Sequence, residues 1–457
     1  MQLTLELSAL FIQHGLSLQK AKTSSIDETY REKLSEKTFS LLNDQYYTLR
    51  SNNAAEHLLL RKYLPELKTA PEGTVSFADF FSGAGGLSEG LCNAGFRPAF
   101  VNDHYLDALE TYYFNHFLSL DHFFNGDIRE LAENIGDYRH LFRGVRLIAG
   151  GPPCQGFSTA NRWNFEREDG SDVKRFIEDK RNVLYKYFVT ILGEIRPDFF
   201  IIENVAGMAR VEQQIEEDIQ RVAPEVYSFV PLILDASNFD VPQRRRRYFL
   251  IGCRDFMYAA RISENLKAAG SVKFVLKDAL FGLPEIGTNP HKLNTAYESA
   301  ENGYTMIRKK TGTNDFIRKI NHNLDFDYVL NHKSRFNNDN DLKIFSALPE
   351  GENSLHPSIR DFILYKNRDH IFTDKYYKLK AGEVSKTITS HMRFDCHMYI
   401  HPGQPRGLSP REAARVQTFP DHYLFRGSLN SWYRQIGNAV PVKLAQALGE
   451  QIMNFYR

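Results

Sequence analysis

The stretch Val75-Ser76-Phe77-Ala78-Asp79-Phe80-Phe81-Ser82-Gly83-Ala84-Gly85-Gly86-Leu87 decides the fold. A mostly apolar run of strand length ends in a glycine cluster, where the chain can turn tightly and a ligand can approach the backbone before a helix begins. The turn lacks the Lys-Ser/Thr pair of a triphosphate-binding loop, so a nucleoside cofactor without a triphosphate suits it. A second run, Ala99 to Asn102, closes on Asp103, about twenty residues on, the spacing at which a carboxylate reaches ribose hydroxyls. Further apolar runs at Val145 to Ala149, Phe199 to Ile202, Val230 to Leu234 and Tyr248 to Gly252 alternate with longer amphipathic stretches. Strands alternating with helices predict an α/β fold, a doubly wound, mostly parallel sheet. Such sheets bind ligands beyond the carboxyl ends of their strands.

Two more strand ends carry chemistry. Val145 to Ala149 runs into Gly150-Gly151-Pro152-Pro153-Cys154-Gln155-Gly156-Phe157-Ser158, where glycines and prolines stop the strand and present the Cys154 thiol. A lone cysteine is more often a small buried hydrophobe; the residues at the other strand ends argue otherwise. Phe199-Phe200-Ile201-Ile202 ends in Glu203, and a carboxyl group closing an apolar strand is partly desolvated, which raises its pKa toward neutrality. Alone, Glu203 would read as a helix cap or a paired structural carboxylate. A thiol and a carboxylic acid on neighbouring strand ends make a nucleophile and an acid.

The remaining chain narrows the class. Its 457 residues, 42% hydrophobic, suffice for two or three domains. Cys92, Cys154, Cys253 and Cys396 are widely spread and include no C-x-x-C pair, so neither a disulfide framework nor a zinc site is indicated and a reducing, cytoplasmic compartment is expected. No secretion signal opens the chain and no long apolar span occurs, so no membrane partner is expected. A net charge of +1 makes no global case for nucleic acid, which leaves local patches. Arg244 to Arg247 is the densest, and a second, aromatic-laced stretch runs through Arg360, Tyr365, Lys366, Arg368, Lys375, Tyr376, Tyr377, Lys378 and Lys380. Residues 1–72 read as helical and polar, and 287–400 as irregular, rich in Asn, Asp, Lys and Tyr.

Taken in order, the chain resembles the bacterial-type cytosine-C5 DNA methyltransferases that depend on S-adenosylmethionine. The matching blocks are Asp79 to Gly86, Asn102-Asp103, Gly126-Asp127-Ile128, Pro152-Pro153-Cys154-Gln155, Glu203-Asn204-Val205, Gln243 to Arg247, Arg406 to Pro420 and Gln435 to Val440. Residues 1–72 have no counterpart, and 287–385 fall where the family is highly variable. The resemblance implies a Rossmann-like catalytic and cofactor-binding domain over 73–286, completed by 431–457. A smaller, irregular target-recognition domain would span 287–430, behind a helical N-terminal extension over 1–72. It implies that Phe81 and Ile128 sandwich the adenine, Asp127 binds its amino group and Asp103 holds the ribose hydroxyls, where the family usually has the longer Glu. Gly83, Gly85, Gly86, Asn438 and Val440 would line the methionine part. Leu87, His104 and Pro153 belong to the same implied cofactor site, and Leu184 would close one wall. Cys154 would be the nucleophile and Glu203 the acid, with Arg245 and Arg247 beside them, and no metal. The implied partners are double-stranded DNA and a cognate restriction endonuclease, for an enzyme acting as a monomer.

The chemistry accounts for these residue types on its own terms. Cytosine C5 is a poor nucleophile; a thiolate adding to C6 breaks the ring's conjugation, while a proton or hydrogen bond from Glu203 at N3 stabilises the anion. A cation such as Arg247 would lower the thiol's pKa. C6 lies inside the duplex stack, so the base must be flipped out, and the polar segment Thr159 to Lys180 suits a loop closing over it. Ser409-Pro410-Arg411-Glu412 reads as a helix cap. Two alternatives share the blocks: a tRNA cytosine-5 methyltransferase, against which the long variable insert argues, and an inert DNA-binding relative, which should have lost a catalytic group.

Overall fold

The computed structural model describes residues 75–116, 118, 122–153, 184–270, 272–292, 294–298, 305–324, 326, 328–363 and 375–457. The helical reading of residues 1–72, Cys154, the segment Thr159 to Lys180, and Tyr365, Lys366 and Arg368 lie outside these. The described residues fall into two compact units: one from within Met1–Leu234, with Arg246–Ala269 and Ala445–Arg457, the other from Asp235–Arg245 and Gly270–Leu444.

The first unit is built on one sheet. In chain order come β1 (Ser76–Phe80), α1 (Gly86–Asn93), β2 (Arg97–Asp103), α2 (Leu106–His116), β3 (Phe123–Asn125), α3 (Ile128–Glu133), β4 (Val145–Gly150), α4 (Leu184–Ile195), β5 (Phe199–Val205), α5 (Glu212–Val222), β6 (Ser228–Asp235), β7 (Arg246–Cys253) and α6 (Phe256–Lys267). The seven strands lie in the order β3-β2-β1-β4-β5-β7-β6. β1 pairs in parallel with β2 and β4, β2 with β3, and β4 with β5, while β7 runs antiparallel to β5.

Alternate residues of each strand face opposite sides of the sheet. Ala78, Phe80, Phe100, Ile148, Phe200, Ile202 and Leu250 pack with Ile128 of α3, Phe188 of α4 and Ile219 of α5 on one side. On the other, Phe77 meets Phe96 edge-on at 6.4 Å, and Phe199 meets Tyr258 of α6, Phe455 and Tyr456 at 6.1, 5.1 and 6.0 Å. Both faces are therefore covered, which is why Phe199-Phe200-Ile201-Ile202 is unbroken apolar sequence and wholly buried. Each such side chain stabilises the fold by about 1.5–3 kcal/mol.

The expected doubly wound, mostly parallel sheet is the one observed. β3 escaped the sequence reading because three residues carry no usable period.

In the second unit the helices are α7 (Leu276–Leu280), α8 (Asp315–Ile320), α9 (Asp339–Ala347), α10 (Pro410–Val416), α11 (Leu429–Asn438) and the start of α12 (Val442–Met453). Two antiparallel ladders join β9 (Met306–Arg308) to β10 (Tyr328–Leu330), and β8 (Tyr297–Glu298) to β11 (Gly427–Ser428). Its interior holds charged side chains, two pairs of which are closed by double hydrogen bonds. Arg406 grips Glu412 through two 2.7 Å bonds, and Arg415 grips Asp421 at 2.7 and 2.9 Å. Arg411 donates to the carbonyls of Leu330, Pro420 and Tyr423. Removing one partner from such a pair would leave a buried charge uncompensated, at roughly 3–5 kcal/mol. The capping box of α10 forms as expected, with Ser409 Oγ accepting from Glu412 N and Glu412 Oε2 accepting from Ser409 N.

Candidate active site

Because β1 to β5 are parallel, their carboxyl ends share one edge of the first unit, and the predicted residues of that unit that are among the described ones gather there. At the end of β1 the chain leaves the sheet abruptly. Phe81 takes φ 55°, a left-handed conformation costly for a bulky residue, followed by Gly83 at 53° and Gly85 at 83°. Asn102 O accepts from Ser82 N at 3.1 Å, and Ser82 O accepts from Gly85 N at 3.0 Å, which hold this turn against β2. Gly86 and Leu87 open α1 and are buried. An added Cβ at Gly83 would meet nothing within 4 Å, so open space adjoins the turn.

The turn is cross-braced to β2 and β3. Asp103 Oδ2 accepts from Gly83 N at 2.8 Å and its Oδ1 from Tyr105 N at 2.7 Å. Asn102 Nδ2 donates to the carbonyls of Phe124 and Gly126, both at 3.1 Å. Asp127 caps α3, its Oδ1 accepting from Arg129 N at 2.9 Å, and the Arg129 guanidinium closes on the same carboxylate. That guanidinium holds Asp127 below the usual carboxylate range. Ile128 is buried in the main core, Phe81 is half-buried against it, and Leu184, the first residue of α4, packs there too. His104 is largely exposed, with Nδ1 3.6 Å from Asp103 Oδ1.

Sequence reasoning passed over the anchor beneath this turn. Asp79, fully buried on the α1 side of β1, accepts from Ser88 Oγ of α1 at 2.5 Å, and Ser88 Oγ accepts from Tyr112 OH of α2 at 2.8 Å. Burial pushes the Asp79 carboxyl up to about 7; the Ser88 bond opposes this and the charge of Asp103 adds to it. Between the unfolded value of 3.8 and about 7, the unfolded chain has released this proton while the folded one keeps it. The contribution to stability is therefore full below pH 4 and lost as pH rises to 7, at ~1.4 kcal/mol per pH unit. We predict that Asp79→Asn removes this slope, its thermal midpoint gaining on wild type between pH 4 and 7 and holding that gain above. Parallel midpoint curves for the two proteins would refute the assignment.

The second cluster forms where β4, β5 and β7 meet. Since β7 is antiparallel to β5, its first residues lie at the carboxyl end of β5: Val205 pairs with Arg247 and Glu203 with Phe249. Arg247 thus sits diagonally across from Glu203 on one face of the sheet, and its Nε lies 3.2 Å from Glu203 Oε1, both side chains being mostly buried. Burial pulls Arg247 below its usual range and Glu203 opposes this. Gly151 lies close beside them, since a Cβ there would come within 3.1 Å of Glu203 Oε2, a tight contact. Asn204, another residue whose part sequence reasoning missed, donates from Nδ2 to Pro152 O at 2.9 Å and fixes the path from β4 into exposed Pro153. Cys154 follows directly.

Arg245, Asn438 and Val440 belong to the second unit. Arg245 is buried, its guanidinium donating to the carbonyls of Ile388, Gly437 and Ala439. Asn438 is exposed and Val440 buried. Among the described residues no group of three or more His, Cys, Asp or Glu could hold a metal ion, and no helix is long and apolar enough to cross a membrane.

A Rossmann-like sheet that gathers a glycine turn, the Asp103 carboxylate and the Glu203–Arg247 pair at the carboxyl ends of its strands has the frame of an α/β ligand-binding protein. The chain belongs to the C-5 cytosine-specific DNA methylase family, whose model matches residues 75–454. It is similar to the Type II methyltransferase M.AgeI of Thalassovita gelatinovora, 30% identical over 82% of this chain and 98% of that protein. It is also similar to the Type II methyltransferase M1.HphI of Haemophilus parahaemolyticus, 28% identical over 83% of this chain and 87% of that protein. A crystal structure of a prophage-encoded E. coli protein, described as a DNA modification methyltransferase, aligns with a TM-score of 0.61 at 25% identity, covering 84% of this chain and 99% of that one.

Proposed function

We propose that this enzyme methylates C5 of a flipped cytosine within a specific DNA sequence, using S-adenosylmethionine, as the modification activity of a restriction and modification system. The observation that carries the reading is the Glu203–Arg247 pair beside the chain that leads from Gly151 into Cys154. The residues around the glycine turn fit the cofactor: open space at Gly83, apolar Phe81 and Ile128 for the adenine, Leu184 for one wall, and the Asp103 carboxylate for the ribose. When bound, S-adenosylmethionine supplies an electrophilic sulfonium methyl for C5. Gly85, Gly86, Leu87, His104, Asp127, Pro153, Asn438 and Val440 complete the site we assign to it.

In this reading the Cys154 thiolate adds to C6 of the flipped base. Glu203 Oε2, the oxygen nearest Gly151, faces N3 and delivers a proton or hydrogen bond there, while Arg247 holds the carboxyl group through Oε1. The added electron density makes C5 enamine-like and ready for methylation. Loss of the C5 proton and expulsion of Cys154 then restore the aromatic ring.

Bisulfite sequencing of DNA from cells expressing the chain is expected to show one methylated cytosine within a fixed sequence. Methylation at scattered sites would overturn sequence specificity. DNA carrying 5-fluorocytosine at that target is expected to form a denaturation-resistant adduct with the protein, because fluorine cannot leave as a proton does. No adduct in the presence of cofactor would overturn addition to C6.

A further inference from the structure

Most aromatic side chains of the second unit are buried, and Phe394 departs from them at 60% exposure. It follows a single 3₁₀ turn, Ser390–Arg393, whose base is fixed from several sides. Thr389 O accepts from Met392 N at 3.2 Å, and His391 O accepts from Phe394 N at 2.9 Å. Met392 and Cys396 are wholly buried, and Met392 O accepts from Arg335 Nη1 at 3.3 Å. α11 packs so closely against the turn that a Cβ at Gly437 would come within 2.1 Å of Ser390 N. On this fixed base, His391 and Phe394 are exposed and Arg393 is half-buried. The Arg393 guanidinium lies over the Phe394 ring, with Cζ 4.4 Å from its centroid, and the His391 ring meets Phe394 at 5.4 Å. The carboxylate of the same stretch, Asp395, lies 4.0 Å from His391 Nε2. Further cations line the chain that leads into the turn. Lys386 Nζ lies over the Tyr377 and Tyr399 rings at 5.0 and 5.8 Å. Exposed Arg244 is bound alongside, its N donating to Ser385 O at 2.9 Å and its O accepting from Thr387 Oγ1 at 2.6 Å.

We propose that Arg393, backed by Phe394, is a specificity-determining residue that reads a guanine in the major groove of the DNA substrate. A guanidinium offers a planar pair of donors that matches guanine O6 and N7, the commonest base-specific contact. Stacking on an aromatic face sets the plane of that fork before DNA arrives, so less freedom is lost on binding. The anchored turn beneath keeps both side chains in register with the groove. Arg244 and Lys386 bring positive charge for the flanking phosphates, contacts that position a protein on the duplex without reading its sequence. The proposal rests on the reading of the enzyme as sequence-specific.

The test uses the full chain, labelled S-adenosylmethionine and a set of duplexes: the methylated sequence found by bisulfite sequencing, and copies each with one base pair replaced. Arg393→Ala is expected to lower kcat/KM on the original duplex about 10–100-fold and to abolish discrimination at one G·C pair, with the other positions still distinguished. Phe394→Ala should relax the same pair by a smaller factor, because it frees the guanidinium without removing it. Arg393→Lys keeps the charge but not the planar fork, so an intermediate loss at that pair is expected; it also serves if Arg393→Ala fails to fold, which thermal unfolding would reveal. A loss uniform over all duplexes, with the slope of log affinity against log salt reduced by about one, would overturn the proposal and make Arg393 a phosphate contact. Wild-type discrimination at every position in Arg393→Ala would overturn it too. Wild-type protein that methylates all the duplexes alike would instead remove the sequence-specific reading itself.

Discussion

Replacing Cys154 by alanine is expected to lower methyl transfer to DNA by about 10⁴-fold or more, the scale on which removal of an enzyme nucleophile acts. The reason lies in the substrate. An unactivated cytosine ring keeps its electrons delocalised, and only addition at C6 converts C5 into an enamine carbon, so no other side chain in the proposed mechanism can substitute for the thiolate. Binding of S-adenosylhomocysteine should be unchanged, because the residues assigned to it, Pro153 apart, lie about the carboxyl ends of β1, β2 and β3, at the start of α4 and about the end of α11. Transfer of labelled methyl to duplex DNA, with binding measured on the same preparation, separates the two functions. Turnover within tenfold of wild type would remove Cys154 from the mechanism, while lost binding would point to a structural role instead.

Much of the fold could be read before the structure because local chemistry agreed with it. The run ending at Phe80 is apolar since both faces of β1 are covered, and the glycines after it stand where the backbone turns left-handed. The carboxyl-end positions of Asp103 and Glu203 followed from strand ends alone. Relationships between distant segments were not legible. Nothing local says that β7 runs antiparallel to β5, yet that direction carries Arg247 to Glu203. Gln243 and Gln417 lie 174 residues apart in two different matching blocks, and nothing local says that they bond to each other within the interior of the second unit. Thr418 adopts φ 61° although threonine is β-branched, a strain held in place by burial. Asp79 read only as part of a strand, and its link through Ser88 to Tyr112 depends on how α1 and α2 pack on the sheet.

The antiparallel entry of β7 also governs the second large effect, that of Glu203→Gln. Glutamine keeps the size of the side chain, and its carbonyl oxygen can still accept from Arg247, so the mostly buried guanidinium retains a partner and the fold should hold. What it loses is the transferable proton. An amide can offer N3 a weak hydrogen bond but cannot neutralise the anion that forms when Cys154 adds to C6, and lost general-acid catalysis costs about 10²–10⁴-fold. We therefore expect kcat to fall by that amount, with the Kd of S-adenosylhomocysteine and the thermal midpoint unchanged. Glu203→Ala should differ in kind. It strands the Arg247 charge without its partner, so the thermal midpoint should drop along with kcat, and Arg247→Met in the same chain should recover the midpoint but not the activity. A Glu203→Gln enzyme turning over within threefold of wild type would show that the carboxyl group serves only to hold Arg247, and the acid would then have to be sought elsewhere at this edge of the sheet.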